Sequence, residues 1–400
     1  MRVFYFTEQP YPDAWSAPDQ SLRVTLPSAH CDPQVLNRLY ARYHDEWMLA
    51  DELGFDIMVN EHHSTPTCLS VSGNLSLAIL ARITKNARLL ALGVPVSNRT
   101  DPLRVAEELS MIDVISGGRL EMGFVRGVPY EASTSVYGTH RMMERLWEAH
   151  DFIIKAMTTH DGPFQFSGEF FHYRNVNVWP RPVQQPHPPV WITASSPRSM
   201  AAVAARGHIA ATFLGGYETR SQFDAYRESW RKTHGGEAPA DRLAYTGFCA
   251  VGRDREEIAR RAEQMVSVMK VNSRVGPPFR NPPGYLAVKD TVRVMKAGSM
   301  ARPVKNRRGE SANLANAALD DYIDTGLIFA GTPDEVFEQI RDFHWQMGGF
   351  ANLILMLQAA SMSHEDTAGN LSLFATEVMP RLRELPARYE DERTAEMSHV

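Results

Sequence analysis

Cysteine is scarce. Three cysteines in 400 residues, Cys31, Cys68 and Cys249, stand far apart and offer neither a disulfide framework nor the paired spacing of a zinc site. That usage fits a reducing compartment, and a cytoplasmic location is expected. No apolar run approaches the ~20 residues that span a bilayer, so no membrane association is expected. The first residues, MRVFYFTEQPYPDAW, lack the basic segment, apolar core and small-residue cleavage site of a secretory signal. Positive charge is not in excess. A formal net charge of −5 gives no electrostatic footprint for nucleic acid. HExxH is absent, and no metal site is expected. A Gly-rich turn after the first strand is absent too, which removes the dinucleotide-binding fingerprint.

What is present is alternation. Apolar strand-like segments fall at 3–6, 56–60, 88–96, 120–125, 189–193, 209–213, 243–251 and 351–357. Helical periodicity separates them, at 34–53, 69–84, 101–115, 140–157, 197–206, 221–233, up to 270, from 332, and at 366–385. In the second of these helices Leu75, Ile79 and Ile83 are expected to face inward. Asp101-Pro102 marks a helix start and Gly117-Gly118 its end. Alternating aromatic residues around Ser167-Gly168 predict a hairpin over 164–179. Eight strands separated by helices predict an α/β protein, a (β/α)8 TIM barrel forming a single domain over 1–400. A doubly wound open sheet is the competing architecture. Residues 271–325 break the pattern with Gly276-Pro277-Pro278, Asn281-Pro282-Pro283-Gly284 and a basic run at 302–308. They read as a long insertion before the last strand–helix unit. It is either a mobile lid over the barrel mouth or a solvated insertion or oligomer contact.

Barrel chemistry gathers at the carboxyl ends of strands. Asn60-Glu61-His62-His63 follows the second strand. Adjacent side chains on extended backbone diverge, so one histidine should enter the site while the other supports it. An imidazole there can donate a hydrogen bond or move a proton near neutral pH. Arg126, after the fourth strand, offers a forked cation to a phosphate or carboxylate. Ala194-Ser195-Ser196-Pro197-Arg198 ends the fifth strand and opens a helix whose N–H groups suit an anion. Simple capping by Ser196 explains the same residues. Gly93 and Pro95 suggest a bulge or a close backbone approach to a ligand.

Four segments carry a resemblance: NEHH at 60–63, DPLRVAEELSMIDVISGGRLEMGFVRG at 101–127, PPVWITASSPRS at 188–199 and FATEVMPRLREL at 374–385. The chain resembles the bacterial luciferase-like flavin-dependent monooxygenases from about residue 3 to residue 385. The 101–127 segment is the specific part. The resemblance implies a (β/α)8 barrel that takes reduced FMN as co-substrate and uses molecular oxygen to oxidise a small organic substrate. It implies that the histidine matching His62 stands beside the reactive flavin carbon. Arg126, Ser195, Ser196 and Arg198 would hold the phosphate. Asn60, Gly93, Val94, Tyr130 and Ala194 would complete the cofactor contacts, with Gly93-Val94 where the family places a bulge behind the flavin, sometimes with a cis peptide. A separate flavin reductase and a homodimer or higher homo-oligomer are the implied partners. One residue departs from the pattern. Val125 stands where luciferase has a reactive cysteine, which argues against long-chain-aldehyde bioluminescence. The alternatives are a deazaflavin-dependent oxidoreductase transferring hydride on the same barrel, a non-catalytic flavin-binding protein, and a metal hydrolase.

Overall fold

Strands that are apolar on both sides must be covered on both sides. The computed structural model, which describes residues 1–18, 21–272, 274–286, 288–297, 304–312, 314 and 317–387, shows how this is done. The barrel strands are β1 (Arg2–Phe6), β2 (Asp56–Val59), β3 (Leu89–Val94), β4 (Leu120–Phe124), β5 (Val190–Thr193), β6 (Ile209–Phe213), β7 (Leu243–Val251) and β8 (Asn352–Met356). Each pairs in parallel with the next, and β8 pairs with β1 through Phe4 opposite Ile354, so the sheet closes. Alternate residues divide between two cores. Phe4, Phe6, Met58, Leu90, Leu92, Trp191 and Ile354 fill the lumen. Val3, Tyr5, Ile57, Val59, Leu89, Ala91 and Leu353 pack outward among the helices.

The helices start where local chemistry allows. In α1 (Pro33–Glu52) the Asp32 carboxylate accepts from the Gln34 amide at 2.8 Å. In α3 (Pro102–Ser116) Asp101 accepts from Leu103 and Arg104, and Gly117, at φ +68°, closes the helix in the left-handed region. The hairpin is formed by Phe164–Ser167 and His172–Val176 in antiparallel pairing.

Two readings of the sequence need correction. The helix after β2, α2, runs Gly73–Ile83 and buries Leu77, Leu80 and Ala81, whereas Leu75 and Ile79 are 65% and 39% exposed. Ser72 caps this helix by accepting from Leu75 N, and that start rotates the 75/79 stripe away from the barrel. A further short strand, Ile328–Gly331, pairs in parallel with the second half of β7. The insertion therefore precedes this strand and the helix Pro333–Gln346, and only then does β8 follow. Within the insertion the described residues form helices Pro277–Arg280, Val288–Ala297 and Leu319–Asp324 and a small antiparallel pair, Val304–Lys305 with Ser311–Ala312. The start of the basic run, 302–303, lies outside the described residues.

The amino-terminal end of the barrel is closed by charge. The buried Glu121 carboxylate accepts from Arg2 Nη2 at 2.8 Å, Arg88 Nε at 2.8 Å and Trp191 Nε1 at 2.7 Å. Arg2 also donates to Asp56 at 2.9 Å. Asp56 thus belongs to the floor, at the opposite end from the histidines. A concavity of about 410 Å³ lined by Met1, Arg2, Asp56 and Arg383 lies on this face.

Candidate functional site at the carboxyl ends of the strands

The strand β3 approaches β4 closely. Its register shifts between Ala91 and Val94, and the Leu92–Gly93 peptide is cis. A Cβ on Gly93 would stand 2.7 Å from Val125 Cγ1 and 2.9 Å from the Gly123 carbonyl oxygen. Only glycine lets the strands meet here. The Val94 carbonyl accepts from the amides of Val96 and Val125, at 2.8 and 3.0 Å.

The two histidines after β2 each meet a carboxylate. His62 Nδ1 lies 2.8 Å from Glu131 Oε1, and the same oxygen accepts from the His63 amide at 3.0 Å. Glu131 Oε2 accepts from the Val128 amide at 3.4 Å. Burial alone would raise the Glu131 carboxyl, but the His62 and His63 contacts outweigh it and hold it below the ordinary carboxylate range. An ionised Glu131 accepts only, so Nδ1 of His62 carries the proton of this hydrogen bond. His63 Nε2 lies 3.1 Å from Glu61 Oε1, which also takes Arg99. The hydrogen bond to Glu61 raises His63 above its usual value. Each histidine is thus held by one ring nitrogen on a different carboxylate. His62 is the less exposed of the two, at 18% against 36% for its side chain.

Asn60 is buried, and its Oδ1 accepts from Cys68 Sγ at 3.5 Å. Tyr130 is also buried. Its hydroxyl accepts from Arg23 Nη2 at 2.8 Å, and its ring centre lies 6.4 Å from that of His62. Burial pushes the Tyr130 phenol far up, so it stays protonated.

Arg126 and the 194–198 segment leave adjacent strands. Phe124 pairs with Ile192, so Arg126 and Ala194 each stand two residues beyond that pair. The Ala194 amide is spent on the Ala211 carbonyl at 2.9 Å. In α5 (Pro197–Ala205) Ser196 accepts from Ser199 N at 3.2 Å and so acts as the cap. Ser195 and Arg198 are exposed. The Arg126 partner in this structure comes from the insertion. Its guanidinium lies 3.9 Å from the Tyr285 ring centre and donates to the Tyr285 carbonyl at 3.4 Å. The Tyr285 hydroxyl donates in turn to the Gly127 carbonyl at 2.9 Å. Sequence reasoning missed Glu131, Tyr285 and Arg23. Glu131 was within reach, as a carboxylate five residues past Arg126. The other two come from distant, unpatterned loops.

The structure is a closed parallel (β/α)8 barrel with histidine–carboxylate pairs and an arginine at one end. The family model described as luciferase-like monooxygenase matches residues 29–349, and the chain belongs to that family. It is 33% identical over 225 residues to an uncharacterized protein of Sinorhizobium fredii, covering 55% of this chain and 65% of that one. It is 32% identical over 172 residues to the oxygenase component of a flavin-dependent trigonelline monooxygenase of Acinetobacter baylyi, covering 42% and 47%. These matches span less than two thirds of either relative. An alkanal monooxygenase alpha chain of Photobacterium leiognathi is 25% identical over 345 residues, 84% of this chain and 91% of that one. Among solved structures, monooxygenase RslO1 of Streptomyces bottropensis superposes with a TM-score of 0.71 at 21% identity, over 95% of this chain and 99% of that one. The oxygenating constituent of 3,6-diketocamphane monooxygenase of Pseudomonas putida, in complex with FMN, gives 0.69 at 18%, over 97% and 99%. The coenzyme F420-dependent tetrahydromethanopterin reductase of Methanopyrus kandleri gives 0.64 at 15%, over 95% and 99%. These structures share the fold.

The pair His62–Glu131 predicts a pH-dependent stability difference. Replacing a buried, charge-assisted acceptor by Glu131→Gln should cost about 1–3 kcal/mol at neutral pH. Glu131 is depressed in the folded state, so its contribution is present at neutral pH and lost as pH falls through its folded value. The gap between wild type and variant, read by urea unfolding at several pH values, should shrink in acid. Equal stability at pH 7 would show that no ionised carboxylate holds His62.

Proposed function

We propose that this protein is an FMN-dependent monooxygenase that uses reduced FMN and molecular oxygen to oxidise a small organic substrate. The observation that carries the reading is His62, oriented through Nδ1 by Glu131 at the end of the barrel where Arg126 also stands. The residues fit the cofactor. Arg126 commits one of its N–H groups to Tyr285, leaving donors for a phosphate. Gly127 opens a cradle, since a Cβ there would stand 2.7 Å from Asn98 Nδ2, and Asn98 Oδ1 is buried without a partner. Ser195, with the amino-terminal turn of α5, adds hydroxyl and N–H donors.

Reduced FMN, when bound, supplies the electrons that activate oxygen. Arg126, Ser195, Ser196 and Arg198 would bind and orient its phosphate, while Asn60, Gly93, Val94, Tyr130 and Ala194 would line the remainder of the cofactor site. His62 Nε2 holds or delivers a proton where oxygen is reduced. Tyr285 covers Arg126 and keeps water from that side. The relative in Acinetobacter is an oxygenase component by name, which supports a separate reductase as the electron donor here.

Arg126→Ala should weaken FMN by on the order of 2 kcal/mol, about thirtyfold. Unchanged affinity in a fluorescence titration removes Arg126 from the site. His62→Ala should keep the fold and most FMN affinity, yet release hydrogen peroxide from reduced FMN and oxygen in place of oxidised substrate. Coupling equal to wild type would make His62 a structural rim residue. A wild-type protein that ignores FMN but takes a deazaflavin and moves hydride without oxygen would replace the reading with the deazaflavin alternative.

We also infer a homodimer. Leu75 and Ile79 on α2 and Met111 and Ile115 on α3 are exposed, and the two helices are joined through Asn74 and Glu108. An apolar face of this kind on neighbouring helices is a common mark of an interface. Leu75→Glu with Met111→Glu should convert the protein to monomers in light scattering, with the barrel intact by circular dichroism. A wild type that is already monomeric sinks the inference.

A further inference from the structure

Buried polar atoms without a hydrogen-bond partner sit a few residues past two barrel strands: Gln9 after β1, and Asn98 and Arg99 after β3. Gln9 is the extreme case. Among the described residues it is the one side-chain amide with both Oε1 and Nε2 buried and unpartnered. It is 1% exposed. Its backbone is well fixed. The Gln9 amide donates to Thr7 Oγ1 at 3.0 Å, its carbonyl accepts from the Leu69 amide at 3.0 Å, and Thr7 is anchored to Gln358 at 2.6 Å. Those bonds hold Gln9 at φ +50°, in the left-handed region where a glutamine is strained. The position therefore carries two costs at once: strain, and an amide removed from water with no partner. Glycine would remove both.

Gln9 follows β1 at the carboxyl ends of the strands, the end that also carries the histidines. Glu8, next in the chain, is buried and faces the Arg23 guanidinium electrostatically. Arg23 donates to Tyr130 and keeps a second buried nitrogen, Nε, without a partner. Tyr130 precedes Glu131 and neighbours His62. A free amide offers a donor beside an acceptor. A carboxylate ligand would leave the acceptor facing another acceptor, whereas a cyclic amide edge satisfies both.

We propose that Gln9 recognises a lactam or imide edge of a ligand bound in the barrel mouth, with Arg23 Nε supplying a further donor. The proposal rests on the preceding reading in placing a ligand there. The edge has two sources, the pyrimidine side of the flavin or an amide-bearing substrate.

Gln9→Met keeps the volume and deletes the amide. It should raise the melting temperature by a few degrees, since an unpartnered buried group is removed. FMN affinity is measured by fluorescence. Binding of uracil, 2-pyridone, nicotinamide and benzoate is measured by saturation-transfer NMR, with and without saturating FMN. If the edge belongs to the flavin, the variant binds FMN about tenfold more weakly. If it belongs to a substrate, FMN affinity holds while the variant loses the uracil, pyridone and nicotinamide signals. Gln9→Asn, which suits a positive φ but is one methylene shorter, should show the same loss and guards against misfolding of the first variant. Unchanged affinity for FMN and for all probes overturns the proposal, as does a fall in melting temperature, which would reveal a buried water as the partner. Benzoate binding in preference to the amides overturns the assigned chemistry. Should wild type fail to bind FMN, the monooxygenase reading falls and the probe series alone decides the role of Gln9. A wild type that binds neither FMN nor any amide probe overturns it.

Discussion

Glu121 is the constraint on which the barrel depends. A carboxylate with almost no exposure must be paired, or its desolvation would outweigh the packing around it. Its partners come from three strands or strand starts. Arg2 begins β1, Arg88 precedes β3, and Trp191 lies in β5 with its indole in the lumen. Arg2 brings in β2 through Asp56, whose other oxygen caps the Arg88 amide at 2.8 Å. Satisfying one buried charge therefore fixes the register of five consecutive strands at the floor. The apolar lumen above it needs only to be filled, which Phe4, Trp191 and Ile354 do.

With the floor fixed, the strand ends at the other face are fixed too. Register carries Phe124 opposite Ile192 and places Arg126 level with Ala194. The close meeting of β3 and β4 at Gly93 and Gly123 sets how near Val125 and Arg126 stand to the loop after β3. A Cβ on Gly123 would collide with the Ala91 carbonyl and stand 2.8 Å from Leu92 Cδ1. These glycines hold two strands at a distance that any side chain would enlarge, and the position of the arginine follows from it. Ser97 reinforces the same link by donating to the Arg126 carbonyl.

Much of this was legible before the structure. Two-residue alternation and helix caps such as Asp101 are local signals, and they located all eight barrel strands and the ends of α3. His62, Arg126 and Ser195 stood out because they end strands or open a helix. The misreadings have one physical origin, partners distant in sequence. The Leu75–Ile79 stripe is apolar at helical spacing, and periodicity does not distinguish a face turned to the barrel from one left bare. The strand Ile328–Gly331 is four residues long and lies after an irregular insertion, where no alternation frames it. Glu131, Arg23 and Tyr285 matter through contacts across 69, 107 and 159 residues of chain. No local pattern marks such contacts.

The polar groups around Glu121 and those around His62 differ in how completely they are satisfied, although Arg242 Nε and Asn352 Oδ1, at the starts of β7 and β8, are also buried without hydrogen-bond partners. At the floor, Glu121, Asp56 and Arg88 are bound by one another and by backbone. At the mouth, His62 and His63 are each held by one nitrogen, Arg126 is stacked under an aromatic ring with few of its donors used, and Gln9, Asn98 and Arg99 keep buried atoms without partners. A fold selected for stability alone would have no use for such an arrangement, because each orphan group subtracts from a small net stability. Orientation without saturation is what a ligand requires. The protein fixes where each group points and leaves the final hydrogen bond to be made by what binds. Such an arrangement is what the cofactor site proposed at the carboxyl ends of the strands requires.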